Sequence, residues 1–211
     1  MGDDARVNAG RRRMLLGPGG VAATGMLGMG LFRDALADEG RRRRGGDDKA
    51  SRVQYRRVIP ARGYAFFDDS GKLEPLNFMR RALGDDDVAI EIAYCGVCHS
   101  DIHAALGHWG ERRIPQVPGQ EITGTVAAVG RRVRRFRVGD RVGVGPMVGS
   151  CGHCADCRSG QAQYCAVDGG VVFTYGATTS DQRDPGGFTQ GGYANRIVVK
   201  DDFVVKLPDA L

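Results

Sequence analysis

Hydrophobic and polar positions alternate over short distances through most of the chain. Val88–Tyr94 (V-A-I-E-I-A-Y) interleaves apolar and other residues with the two-residue period of a strand. Ile122–Val129 (I-T-G-T-V-A-A-V) and Arg141–Val144 are short β-branched runs bounded by glycine and aspartate. Ile197–Val199 and Phe203–Val205 form another pair, split by Lys200-Asp201-Asp202. Arg62–Phe67 predicts an earlier strand, with Asp68-Asp69-Ser70-Gly71 as its turn. Short strands with close glycine punctuation predict a mostly β barrel or sandwich rather than a βαβ array. A single short helix is expected beside the chemistry, over Ser100–Leu106 with Ser100 as its N-cap. Gly143 and Gly145 lack the G-x-x-G continuation and the following acidic residue of a dinucleotide fingerprint, so they are assigned to turns.

The N-terminal quarter follows a different pattern. Arg11-Arg12-Arg13 precedes a weakly apolar stretch, Leu15–Phe32, that contains six glycines and Pro18, and Ala35-Leu36-Ala37 closes it. A basic region, a modest apolar region and a small-x-small end have the layout of an export signal. The arginines and the low hydrophobicity point to the twin-arginine route and its export machinery, with cleavage after Ala37. Glycine and proline disfavour a stable membrane span. The mature protein is expected outside the cytoplasm, periplasmic or extracellular. Residues 38–52 have no apolar side chain larger than alanine and are expected to be a disordered linker. That leaves 53–211 as the folded domain.

Charge changes the picture little. The chain of 211 residues carries a net +5. Residues 1–50 hold ten Lys/Arg against seven Asp/Glu, a net +3, so only +2 falls on the rest. A domain so near neutrality has no electrostatic footprint for nucleic acid.

Two clusters carry the candidate chemistry. Cys95-Gly-Val-Cys98-His99-Ser100-Asp101-Ile-His103 places two of the six cysteines and two of the four histidines directly after a predicted strand. C-x-x-C-H is the spacing of c-type haem attachment. The same residues could instead supply Cys98 as a zinc ligand, with Ser100, Asp101 and His103 as working neighbours, or simply bury two cysteines. The second cluster, Cys151, Cys154, Cys157 and Cys165, is spaced C-x2-C-x2-C-x7-C. Four thiolates on one loop suit tetrahedral zinc. Disulfides suit an exported protein but fit x2 spacing poorly, and an iron–sulfur cluster would depart from the usual ferredoxin runs. His153, inside this loop, is expected to be a solvent-facing bystander.

Several motifs then coincide in order: C-G-V-C-H-S-D-I-H, Trp109, V-P-G-Q-E-I-T-G-T-V-A-A-V-G (117–130), G-D-R-V-G-V-G (139–145), the four-cysteine loop and G-G-Y-A (191–194). Together they resemble the N-terminal GroES-like β-barrel of zinc-dependent medium-chain alcohol dehydrogenases, in the cinnamyl-alcohol-dehydrogenase-like branch. The resemblance implies a barrel with short helices, a structural-zinc cysteine lobe, and hydride transfer between a small alcohol or aldehyde and NAD(P). It implies Cys98 as a catalytic zinc ligand and Glu121 as the acidic neighbour of that metal. Ser100 and His103 are implied as members of a proton relay, Asp101 as an orienting carboxylate, and Trp109 as a pocket wall. Cys151, Cys154, Cys157 and Cys165 are implied as structural zinc ligands. Cys95 becomes a structural neighbour, and the haem spacing a coincidence.

Two departures accompany the resemblance. The family's P-G-H-E motif, which supplies a histidine ligand, is here Pro118-Gly119-Gln120-Glu121, and an amide oxygen is a weak zinc donor. The third ligand, a cysteine, and the Rossmann domain are expected beyond Leu211. The chain alone is therefore expected neither to bind NAD(P)H nor to turn over. The competing expectation is a non-catalytic zinc-binding barrel, a decayed remnant that keeps only the structural zinc. Assembly with further copies of the chain is compatible with either.

Overall fold

The computed structural model describes residues 55, 57–110, 112–178, 186–208 and 210. The export signal, the linker and the expected start of the domain at Val53 lie outside the described residues. Among these residues the fold is mostly β, as the pattern predicts.

Nine strands form among the described residues: β1 (Ile59–Phe66), β2 (Leu73–Arg80), β3 (Asp87–Gly96), β4 (Glu121–Val129), β5 (Arg141–Val144), β6 (Met147–Gly149), β7 (Val172–Phe173), β8 (Arg196–Lys200) and β9 (Val204–Lys206). Two short helices, α1 (His99–Ala105) and α2 (Ala155–Arg158), accompany them. A five-stranded sheet runs in the order β8-β3-β4-β5-β9, every neighbouring pair antiparallel. β1 with β2 and β6 with β7 form two-stranded antiparallel ribbons.

The register of β3 against β4 positions the site. It runs from Val88 opposite Val129 to Gly96 opposite Glu121, with irregularities after Ala89 and Ile92. Cys98, two residues past the end of β3, and Gln120, one residue before β4, therefore emerge side by side.

Burial departs from simple alternation in β3, where Asp87, Val88, Ala89 and Ile90 are all buried. The reason is that both faces of this central strand are covered. Val88 and Ile90 join Ile122, Val126, Val142 and Val199 in one cluster. Ala89 joins Ile59, Ala128 and Val198 in another. Each such valine or isoleucine contributes about 1.5–3 kcal/mol by leaving water. Asp87 is tolerated in the interior because Arg81 Nη2 donates to it at 2.9 Å and the Gly84 N–H at 2.7 Å.

β2 has no counterpart among the predicted strands. Its sequence, L-E-P-L-N-F-M-R, is largely exposed and contains Pro75. It pairs only with β1, and a ribbon edge tolerates a residue without an N–H. Gly143 is a correction. It lies within β5, opposite Thr123 and Val205, rather than in a turn. Gly63 in β1 does need its missing side chain, because a Cβ there would lie 2.4 Å from the Tyr193 carbonyl oxygen. That close approach lets the Tyr64 N–H donate to the same oxygen at 2.8 Å and ties the 190s loop to β1.

The helix also corrects its expected cap. α1 begins at His99 with Cys98, not Ser100, at the N-cap. Asp101 decides this by standing at the third helical position, where its Oδ2 accepts the Cys98 N–H at 3.0 Å. Ala104 and Ala105 pack on Phe66, and Arg112 Nη1 satisfies the Ala104 carbonyl at 2.7 Å while its guanidinium lies over the Phe66 ring.

Candidate active site and cysteine lobe

Asp101 organises the first site. It is 4% exposed, and three donors converge on it: Gly119 N–H on Oδ1 at 2.9 Å, and Cys98 N–H and the Tyr193 hydroxyl on Oδ2, each at 3.0 Å. One carboxylate thus fixes the chain on both sides of the pocket, at Cys98 and at the residue before Gln120. Gly119 adopts φ +99°, and a Cβ there would meet the Cys95 sulfur and the Tyr193 N, each at 2.8 Å. Only glycine lets the two loops approach this closely. Burial pushes the Cys95 thiol up to about 11, consistent with a structural neighbour.

Gln120 reaches Cys98 directly, its Nε2 donating to Cys98 Sγ at 3.4 Å. Glu121 is exposed, and its carboxylate lies over Gly96, where a Cβ would sit 2.8 Å from Oε2. Among the described residues, groups of three or more His, Cys, Asp or Glu ligand atoms converge only in the cysteine lobe and not around Cys98. The residues at Cys98 do not fit a zinc ion: one sulfur is engaged by an amide N–H, and no third donor closes on it.

His103 is turned toward His108, with their Nδ1 atoms 2.8 Å apart, and its ring lies 4.7 Å from that of His99 and 5.5 Å from that of Trp109. Ser100 Oγ is buried and makes no hydrogen bond. His103, Trp109, Gln116, Gln120 and Tyr175 line a cavity of about 510 Å³, within the range of small-molecule sites. Trp109 is 65% exposed and forms one wall of this cavity. His108, Tyr175 and Tyr193 join the site without having been singled out from the sequence. Tyr193 was within reach, since it belongs to the G-G-Y-A motif, whereas Tyr175 carries no local signal.

The second cluster assembles around one point. The four sulfurs of Cys151, Cys154, Cys157 and Cys165 all lie within 4.8 Å of one another. Backbone N–H groups aim at them: His153 and Cys154 at Cys151 Sγ (3.4 and 3.3 Å), and Cys157 at Cys154 Sγ (3.4 Å). Such donors favour thiolates. The Ser150 hydroxyl, helped by neighbouring sulfurs, holds Cys157 down at about 6, and the His153 N–H lowers Cys151. The Cys157 N–H draws Cys154 downward too, but burial and the adjacent sulfurs outweigh it and push that thiol up to about 11. Lys200 Nζ braces the loop through the Ser150 carbonyl at 2.7 Å. All six cysteines are free thiols. Geometry and donor set fit a structural zinc, which would be held by Cys151, Cys154, Cys157 and Cys165. His153 is exposed but not a bystander. Its Nε2 lies 3.4 Å from Asp168, and its Nδ1 lies 3.1 Å from the Cys151 carbonyl oxygen.

The sequence profile of the alcohol dehydrogenase GroES-like domain matches residues 84–209. The chain belongs to this family. Among relatives of this GroES-like domain, cinnamyl alcohol dehydrogenase 7 of Oryza sativa subsp. japonica is 50% identical over 148 residues, covering 70% of this chain and 38% of the relative. A cinnamyl alcohol dehydrogenase from Sorghum bicolor superposes with a TM-score of 0.66 at 41% identity, covering 72% of this chain and 42% of the other. CAD from Helicobacter pylori, complexed with NADP(H), gives 0.65 at 41% identity over 71% and 42%. The chain spans about two fifths of the length of the relatives it matches. Among the described residues no helix is long and apolar enough to cross a membrane.

Proposed function

We propose that this chain is the substrate-side domain of an oxidoreductase that moves a hydride between a small alcohol or aldehyde and NAD(P). The observation that carries the reading is a cavity at the β3–β4 end of the sheet that His103 and Gln120 line, with Gln120 donating to the Cys98 sulfur and Asp101 accepting the Cys98 N–H. In this reading Ser100 and His103 move the proton of the alcohol hydroxyl. Asp101 is a positioning residue, holding Cys98 and Gly119 in place. Glu121 supplies negative charge beside the pocket, and the apolar wall of Trp109 and Phe173 takes the carbon skeleton. When bound, zinc in the cysteine lobe supplies rigidity to the loop between β6 and β7.

A domain exchange tests this. Residues 53–208 replace the matching segment of the Sorghum bicolor relative, which provides the remaining length. We expect alcohol-dependent reduction of NADP+ when Gln120→His is included, and little without it. Inactivity of both chimeras, with each folded and zinc-loaded, refutes the reading.

A second reading is favoured by one contact. Gln120 donates to the Cys98 sulfur, which suits a barrel that keeps its structural zinc and has lost the catalytic metal. The Gln120 chimera separates the two, since substantial activity there excludes the second reading.

We also propose export by the twin-arginine route, a mature start after Ala37 and a flexible tether over 38–52, on the layout of Arg11–Arg13, Leu15–Phe32 and Ala35–Ala37. Cell fractionation with N-terminal sequencing tests this, and a cytoplasmic protein that keeps residue 1 or 2 overturns it.

A further inference from the structure

Two arginines line the cavity of about 510 Å³. Arg112 is committed, its guanidinium serving Asp69 and the Ala104 and Ala105 carbonyls. Arg113 is not. Among the described residues no carboxylate or carbonyl engages it, and its guanidinium lies 5.9 Å from the centre of the Phe188 ring. A guanidinium held over an aromatic face keeps its N–H edge free, and that planar fork matches a carboxylate. No aspartate or glutamate is among the described residues that line the cavity.

A second donor stands beside it. Gln116 is 3% exposed and lines the same cavity, yet its side-chain amide makes no hydrogen bond to any described residue. Its Nε2 lies against Gly176, where a Cβ would approach it to 2.5 Å. Gly176 and Phe188 belong to one short ribbon, in which the Gly176 N–H donates to the Thr189 carbonyl at 3.0 Å and Thr178 bridges Phe188. Arg113 and Gln116 therefore rest against neighbouring positions of that ribbon. Buried polar groups find partners, so an unserved amide beside an uncommitted guanidinium marks where the occupant of the cavity supplies the acceptor. One positive charge with one neutral donor suits a carboxylate monoanion better than a phosphate dianion. His103 and Gln120 line the same space, and Trp109 and Phe173 wall it with aromatic rings.

We propose that Arg113 and Gln116 form a carboxylate-binding subsite, so that the preferred substrate is an alcohol or aldehyde that also carries a carboxylate. The assignment rests on the alcohol dehydrogenase reading above and names the class of substrate within it. The guanidinium grips the carboxylate through its paired N–H groups, the Gln116 amide adds a third donor, and the aromatic walls take the carbon skeleton in between.

The test is a ligand-observed saturation-transfer NMR titration of the full chain, zinc-loaded and at low salt. Three probes are compared: para-carboxybenzyl alcohol, benzyl alcohol, and para-toluate, which keeps the carboxylate and lacks the hydroxyl. We expect the carboxylated alcohol to bind about tenfold more tightly than benzyl alcohol. Arg113→Gln should erase that advantage and leave benzyl alcohol unchanged. Gln116→Leu should cut the advantage about threefold, with a melting temperature equal to or above that of the wild type, because an unserved amide has been removed. If the wild type binds the two alcohols equally, or the full advantage survives either substitution, the subsite is refuted while the alcohol reading stands. Arg113-dependent binding of para-toluate without binding of benzyl alcohol upholds the subsite and counts against the alcohol reading. If no probe binds, both fall.

Discussion

Replacing Asp101 with asparagine is the sharpest perturbation of the site's framework. The carboxylate is 4% exposed and accepts three hydrogen bonds, at 2.9, 3.0 and 3.0 Å. An asparagine keeps one acceptor oxygen and turns an NH2 group toward at least one donor. Oriented toward Gly119, that NH2 loses one bond. Oriented toward Cys98 and Tyr193, it loses the Cys98 bond, while the Tyr193 hydroxyl can turn to accept from it. Hydrogen bonds to a charged acceptor contribute about 1.5–3 kcal/mol each, so the less damaging orientation costs about 2–3 kcal/mol. Asp101→Ala should cost more, because three donors are left unserved, while Tyr193→Phe withdraws one donor and should cost about 1 kcal/mol. Urea unfolding followed by circular dichroism at pH 7 measures all three variants. Destabilisation of less than about 1 kcal/mol by Asp101→Asn, with an unchanged denaturant slope, refutes the role given to this carboxylate.

Other expectations can be checked with similar means. Cys157→Ser or Cys165→Ser should release zinc from the lobe, seen as metal lost on dialysis and as early proteolysis between β6 and β7. Retention of full zinc by Cys157→Ser contradicts the four-sulfur assignment. Arg81→Ala should destabilise the fold by about 3–5 kcal/mol in the same urea assay, because it leaves Asp87 buried without its guanidinium partner. Cys95 sets a pH dependence. Its folded value is about 11, raised by burial above the ordinary 9.0, so the fold disfavours the thiolate. The associated stability is fully present below about pH 9 and is lost as pH rises through 11. Cys95→Ala should flatten that alkaline decline relative to the wild type, and identical profiles would remove the basis for it.

Much of the architecture was legible in the sequence because the buried faces are built from β-branched runs. β3, β4, β5, β8 and β9 all appear within a few residues of the predicted segments. β2 was not legible, because an edge ribbon with Pro75 and mostly exposed side chains leaves no periodic signal. Gly143 was assigned to a turn because glycine usually marks one, yet in β5 it needs no side chain between its two partners. The cysteine lobe could be read from spacing alone, since four ligands on one short loop have few other ways to converge. The active-site residues were legible only where they share a local motif. Cys98, Ser100, Asp101 and His103 lie on one turn of chain, whereas Tyr175 enters from the far side of the cysteine lobe. His108 was legible only as a neighbour of Trp109, and its contact with His103 depends on how the chain turns after α1.

The central claim is that this GroES-like domain holds one zinc in its cysteine lobe while Gln120 leaves Cys98 without a metal. The most direct measurement is the zinc content of the purified full chain, by plasma mass spectrometry against amino-acid analysis, for the wild type and for Cys157→Ser. The account predicts one zinc per wild-type chain and none per Cys157→Ser chain. Two zincs per wild-type chain, or one that persists in Cys157→Ser, would contradict it.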